Sequence, residues 1–185
     1  MKAHSIRTDN ASLPMKLKVR EEALKHIDKE KQVSVLDLFA GENILWGYLK
    51  NDYYFGIEKE KGKGKNLYAD NRKVIPSLDL SKFTVIDCDS YGIPVEQIQL
   101  LFDNRTLQKG TVVIYTCIGN EMSMLSRKLV KEFNLAKLYK KSKVLLNKKS
   151  QELFYAFLQR RGVKRVYEIE KQDSHFKKKY GFFIV

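Results

Sequence analysis

Two cysteines and three prolines in 185 residues leave the chain little covalent or conformational bracing. Cys88 and Cys117 both lie in apolar segments, so they read as buried thiols of a reducing compartment and not as a disulfide framework. No apolar run approaches the ~18 residues that a bilayer crossing needs, and the N-terminus has no signal-type apolar segment. No membrane partner is therefore expected, and a cytoplasmic location is. Histidine is scarce as well: His4, His26 and His175 form no cluster with ligand spacing. Acidic residues are outnumbered 22 to 35 by Lys and Arg, for a net charge of +13.

The basic surplus is uneven. Residues 1–119 carry 18 Lys/Arg against 16 Asp/Glu, whereas residues 120–185 carry 17 against 6. A cationic section beside a nearly neutral one suggests a polyanion-binding surface, with nucleic acid the commonest partner. The plainer alternative is a lysine-rich composition that only aids solubility. Within residues 120–149 stand nine Lys/Arg and two Glu, the best candidate for a basic helical insertion that touches RNA. The residues singled out for that contact are Arg127, Lys128, Lys131, Lys140, Lys141, Arg160 and Arg161.

The apolar fraction of 43% supports one domain spanning 1–185. Residues 1–17 read as irregular, and Lys18–Lys29 as a surface helix. Strands are then expected over Ser34–Phe39, Tyr53–Ile57, Asn66–Ala69, Phe83–Asp87 and Thr111–Ile118, the last the most continuously apolar and so expected to be central. Helical segments separate most of them, at Asn43–Lys50, Arg72–Leu78 and Pro94–Phe102. Only about seven residues part Glu58 from the third strand, too few for an ordinary crossover helix. Leu138–Leu146 reads as an amphipathic helix and Ser150–Arg161 as another. Arg165–Ile169 and Tyr180–Val185 read as strands joined by a polar turn at Asp173-Ser174. The alternation predicts an α/β fold, a doubly wound and mostly parallel sheet closed by an antiparallel C-terminal hairpin strand.

The organising stretch is Val33–Gly47, an apolar strand that ends in Asp37-Leu-Phe-Ala-Gly41 and turns into a helix. Asp37, Glu58, Asp70 and Asp89 fall at or near the ends of successive strands, so they line one edge of the sheet, where such folds hold ligands. An acidic residue after the second strand suits a ribose, whose two hydroxyls it can accept. Asp70 or Asn71 is placed to accept from an adenine amino group. The turn lacks a full G-x-G-x-x-G: Asn43 and Trp46 take the second and third glycine positions. Asn tolerates a left-handed backbone, but Trp46 blocks the close approach of helix and strand that a pyrophosphate site needs. A nucleoside without phosphates fits better. Either acid alone could be a plain strand-end cap. Asp87 and Asp89 share a face, which also permits a metal site. A metal-dependent nuclease is disfavoured, because no acidic residue has lysine two positions later.

These residues resemble the motifs of class I S-adenosylmethionine-dependent methyltransferases over nearly the whole chain. Asp37–Gly41 is similar to their first motif, Gly56-Ile-Glu58 to the second and Ala69-Asp-Asn71 to the adenine-contacting third. The resemblance implies a Rossmann-like sheet and S-adenosylmethionine as cofactor, with Asp37, Phe39, Gly41, Glu58, Asp70, Asn71 and Asp87 around it. Ile86-Asp-Cys-Asp-Ser-Tyr-Gly-Ile-Pro94 resembles the Asp-x-Asp-Pro-Tyr/Phe-Gly-x-Pro signature of tRNA guanine-N2 methyltransferases. It is also a distant form of the Asp/Asn-Pro-Pro-Tyr/Phe motif of enzymes that methylate base amino groups. By that resemblance Asp89 accepts from the target amine and Tyr91 stacks on the extruded base. Ser90 departs from the family's proline and leaves the loop less pre-organised. The expected activity is methyl transfer to an exocyclic amine of a base, in RNA before DNA. The alternative is a nucleic-acid-binding protein that keeps the fold without catalysis.

Overall fold

The computed structural model describes residues 12–62, 64, 66–119, 125–172 and 177–185. Seven strands make one sheet: β1 Ser34–Asp37, β2 Tyr53–Glu58, β3 Leu67–Tyr68, β4 Val85–Cys88, β5 Val112–Gly119, β6 Arg165–Gln172 and β7 Lys177–Ile184. Their order is β3-β2-β1-β4-β5-β7-β6. The first five pair in parallel, and β7 runs antiparallel to both β5 and β6. The doubly wound sheet with its antiparallel closing hairpin is therefore as the alternation predicts. The turn expected at Asp173-Ser174 lies outside the described residues.

Period-two alternation sorts the core onto two faces. Leu36, Ile86, Val113 and Tyr115 face Ile98, Phe154 and Phe157, from helices α4 (Val95–Asp103) and α8 (Ser150–Gln159). Val35, Val85, Val112 and Ile114 face Val19 and Ala23 of helix α1, Leu13–Leu24. Burial of β5 is almost complete, between β4 and β7, while Cys88 and Cys117 are buried and unbridged.

Several elements differ from expectation. The first helix begins five residues earlier than Lys18, because Pro14 sits in its first turn, where a missing N–H costs nothing. It is not a surface helix either: Val19, Arg20 and Ala23 are buried. After the glycine turn, α2 is one short stretch, Ile44–Gly47. Asn71–Val74 forms α3, followed by a 3-10 turn at Ile75–Ser77 that accommodates Pro76. No helix links β2 to β3 among the described residues, and β3 is a two-residue edge strand. The helix expected over Leu138–Leu146 is two, α6 Ala136–Lys141 and α7 Lys143–Lys148, broken where Ser142 takes φ −144° and ψ 57°. With α5, Arg127–Glu132, they form the basic helical segment between β5 and α8; residues 120–124 lie outside the description. No helix among the described residues is long and apolar enough to cross a membrane.

Candidate active site

At the carboxyl edge of the parallel strands lies a cavity of about 570 Å³. Each element contributes where its strand ends: Asp37, Phe39 and Gly41 after β1, Glu58 at the end of β2, and Asp89, Ser90 and Tyr91 after β4. Thr116 and Ile118 of β5, Lys178 and Tyr180 of β7, and Lys16 of α1 complete the wall. Six of the residues singled out from the sequence are brought together here: Asp37, Phe39, Gly41, Glu58, Asp89 and Tyr91.

The turn after β1 adopts the conformation that its sequence allows. Gly41 has φ 53° and Asn43 φ 63°, both left-handed, which glycine adopts freely and asparagine better than most residues. The Gly41 N–H donates to Glu58 Oε2 at 2.8 Å and the Glu60 N–H to Oε1 at 2.9 Å. Two main-chain donors thus aim the Glu58 carboxylate and leave it lone pairs for a ligand. Trp46 does not obstruct the strand. Its buried indole packs on the α1 face and donates to Asp87 Oδ2 at 2.8 Å.

Three carboxylates cluster beneath the cavity. Asp37 and Asp87 are register neighbours on β1 and β4, and Asp89 follows two residues on. The buried Arg20 guanidinium lies 2.7 Å from Asp87 and 3.3 Å from Asp89. Asp89 Oδ2 also meets the Lys16 ammonium at 2.8 Å, and its Oδ1 accepts from the Thr116 hydroxyl at 2.6 Å. Burial would raise Asp89, but Arg20, Lys16 and Thr116 hold its carboxyl below the usual range. Asp37 goes the other way: burial, with Asp87 alongside, pushes it up to about 8. It accepts from the Phe39 N–H at 3.0 Å and the Tyr54 hydroxyl at 3.1 Å.

Three expected cofactor residues are engaged outside the cavity. Asp87 has no exposed surface and faces Arg20 and Trp46. Asp70 caps α3 and pairs with Arg72 at 2.8 Å, whose hydrogen bond holds its carboxyl down to about 2. The buried Asn71 amide donates to the Leu38 carbonyl at 2.6 Å and accepts from Gln97 at 3.2 Å. Asp87 and Asn71 brace the edge from behind, while Asp70 is tied up within its own helix turn. Among the described residues, no group of three His, Cys, Asp or Glu could hold a metal ion.

The basic residues divide as sharply. Arg127, Lys131, Lys140 and Lys141 are exposed on α5 and α6, and Lys128 is half-buried. Arg161 is committed internally, whereas Arg160 is paired within the protein but keeps an exposed side chain. Arg161 lies 3.6 Å over the Phe157 ring and bonds Gln99, Glu132 and the Phe157 carbonyl, while Arg160 lies 4.3 Å over Phe133 and donates to the Glu132 carbonyl. They occupy the turn from α8 into β6, which starts opposite Phe183 and hence Val113. That is five residues along β5 from Ile118 of the cavity, roughly 17 Å away.

Sequence reasoning missed Lys16, Arg20, Thr116, Lys178 and Tyr180. For the first two a signal existed: they are four residues apart, and Val19 and Ala23 continue the same face. The other three depend on cross-strand register, which no local pattern reveals.

No family model matches the chain, and no curated protein does. Solved structures do. A SAM-dependent (S-adenosylmethionine-dependent) methyltransferase from Geobacter sulfurreducens, in complex with S-adenosyl-L-homocysteine, is similar with a TM-score of 0.59 at 13% identity, over 97% of this chain and 94% of that one. A SAM-dependent methyltransferase from Leishmania major is similar with a TM-score of 0.56 at 11% identity, over 94% and 74%. Trm5b from Pyrococcus abyssi gives 0.51 at 14% identity, over 90% of this chain and 48% of that one. The sheet is the Rossmann-like sheet of these proteins, and the chain has the class I methyltransferase fold.

Proposed function

We propose that this protein transfers a methyl group from S-adenosylmethionine to an exocyclic amino group of a base in RNA. The observation that carries the reading is one cavity joining the Gly41 turn, the oriented Glu58 carboxylate and the Asp89–Tyr91 loop. The residues present fit the cofactor. The volume is in the range of small-molecule sites, Glu58 has lone pairs for a ribose diol, and the left-handed Gly41 lets the backbone run close to a ligand. The Geobacter protein of similar fold is in complex with S-adenosyl-L-homocysteine, the demethylated form of that cofactor.

S-adenosylmethionine, held by the Gly41 turn and Glu58, would supply an electrophilic methyl carbon on a sulfonium whose leaving group is a neutral thioether. The protein's own work is on the acceptor. An amine conjugated to a ring is a weak nucleophile until an acceptor holds one N–H and aims the lone pair. Asp89 supplies that acceptor. With its carboxyl held low, Asp89 stays ionised and stabilises the positive charge that grows on nitrogen, and the departing proton goes to water. Tyr91 is 67% exposed beside Asp89, where its ring can cover an extruded base. Phosphates would meet Lys178 at the cavity and Arg127, Lys128, Lys131, Lys140 and Lys141 on the helical segment.

Transfer of tritiated methyl to bulk RNA tests this, comparing wild type with Asp89→Asn and Tyr91→Ala. Both variants are expected to lose ~10²-fold or more, as for removal of a group that stabilises transition-state charge or position. Full activity in both would refute the assigned roles. Transfer to DNA but not RNA would move the substrate, and cofactor binding without any transfer would favour a non-catalytic nucleic-acid-binding protein.

A further inference from the structure

Asp89 has most of its acceptor capacity filled. A carboxylate offers about four lone-pair sites; among the described residues Oδ2 takes Lys16 and Arg20 and Oδ1 takes Thr116, leaving one site on Oδ1. Lys16 is the complement. Its ammonium has three donors and makes one bond among the described residues, to Asp89, while its side chain keeps 17% exposure on the cavity wall. An open acceptor and open donors therefore stand side by side where the target group must bind.

Building on the function proposed above, the geometry points to Lys16 as a specificity-determining residue that, with Asp89, reads an amine adjacent to a ring acceptor nitrogen. Adenine presents that pair as its 6-amino group beside N1, and cytosine as its 4-amino group beside N3. The 2-amino group of guanine adjoins N1–H on its pairing edge, which would be driven against the ammonium, and its acceptor neighbour N3 lies on the other edge, crowded by the base's own ribose. The site thus selects adenine or cytosine, and not the guanine that the 86–94 motif resembles. Lys16 comes from α1, outside every motif of that resemblance. The four-residue spacing to Arg20 sets both cations on the helix face turned to the carboxylates, with Arg20 fixing the cluster and Lys16 left to meet the substrate.

Three measurements test it together. Nucleoside analysis of RNA methylated by the wild type is expected to show N6-methyladenosine or N4-methylcytidine; N2-methylguanosine would overturn the inference. The methylated RNA is then resynthesised with 1-deazaadenosine or 3-deazacytidine at the target, which keeps the amine and removes the acceptor. Wild-type kcat/KM is expected to fall by ~10- to 100-fold, as for one lost hydrogen bond to a charged group. Lys16→Met is expected to fall by a similar factor on the normal RNA and to show no further loss on the deaza RNA. Lys16→Arg, which keeps a donor, should restore part of the loss. Additive losses, or a deaza substrate as good as the normal one, would overturn it. If the wild type methylates no RNA, the parent reading fails and takes this one with it; RNA transfer indifferent to Lys16 defeats this inference alone.

Discussion

The two ends of the sheet use charge in opposite ways. At the carboxyl edge, Asp37, Asp87 and Asp89 outnumber Arg20 and Lys16 and are nearly all buried, and among the described residues Asp89 keeps an acceptor site and Lys16 donors open at a cavity. At the far end the cations meet their own carboxylates and aromatic rings. Arg160 and Arg161 flank Glu132, and on the face that packs on α8, level with the middle of β5 and its cavity end, Arg165 and Lys179 flank Glu168, which also accepts from Tyr115 and Tyr155 at 2.8 Å each. Arg165 lies 3.9 Å over Tyr155. Charge density in the sequence is highest in residues 120–185, yet Arg160, Arg161, Arg165 and Lys179 of that section are paired, and what it leaves exposed are the cations of α5 and α6. What matters is which charges remain unsatisfied once the chain has folded.

The largest effect should come from breaking the near cluster at its buried cation. Arg20→Met strips Asp87 and Asp89 of their shared partner, and denaturant unfolding should show a loss of ~3–5 kcal/mol, the usual result of leaving half a buried ion pair behind. A loss below ~1 kcal/mol would mean that the carboxylates are protonated or solvated and the cluster carries little energy.

Asp37 should give the next effect, and its sign is fixed by its raised carboxyl. Between the unfolded value near 4 and about 8 the folded protein holds a proton that the unfolded chain has lost, so this group favours folding less and less as pH rises through that window. Wild-type stability should drop by up to ~3 kcal/mol from this group between about pH 6 and about pH 9, and Asp37→Asn should flatten the drop. An unchanged slope would show that Asp37 is ionised throughout.

Arg161→Ala should cost about 1 kcal/mol, since its bonds are half-buried and Glu132 keeps Arg160 as a partner. The same variant should leave the salt dependence of RNA binding unchanged. Lys140→Ala and Lys141→Ala should do the reverse, sparing stability and flattening the salt slope by about 0.7 per lost phosphate contact. If Arg161→Ala flattens the slope, the far end binds RNA after all.

Much of the near edge was legible in the sequence because strand ends announce themselves. Apolar runs that stop at Asp37, Glu58 and Asp89 place acids along one edge once the strands are known to be parallel, and Gly41 and Asn43 mark the turn between them. The closing hairpin was legible from two apolar runs after the last helix. Arg20 was not, because a charged residue on a charged-looking helix is buried only if something packs over it, and that is a tertiary fact. Asp70 and Asn71 sit in the expected place in the chain, but Arg72 and the Leu38 carbonyl claim them. Arg160 and Arg161 were counted by sign alone, which says nothing of Phe157, Phe133 or Glu132 nearby.

The central claim is that the near edge holds a nucleoside methyl donor, and titration calorimetry with S-adenosylmethionine tests it most directly. The wild type should bind one equivalent, and Glu58→Ala should bind ~10-fold more weakly or worse, as for loss of hydrogen bonds to a charged acceptor. No binding by the folded wild type at millimolar cofactor, or binding indifferent to Glu58→Ala, would contradict the account.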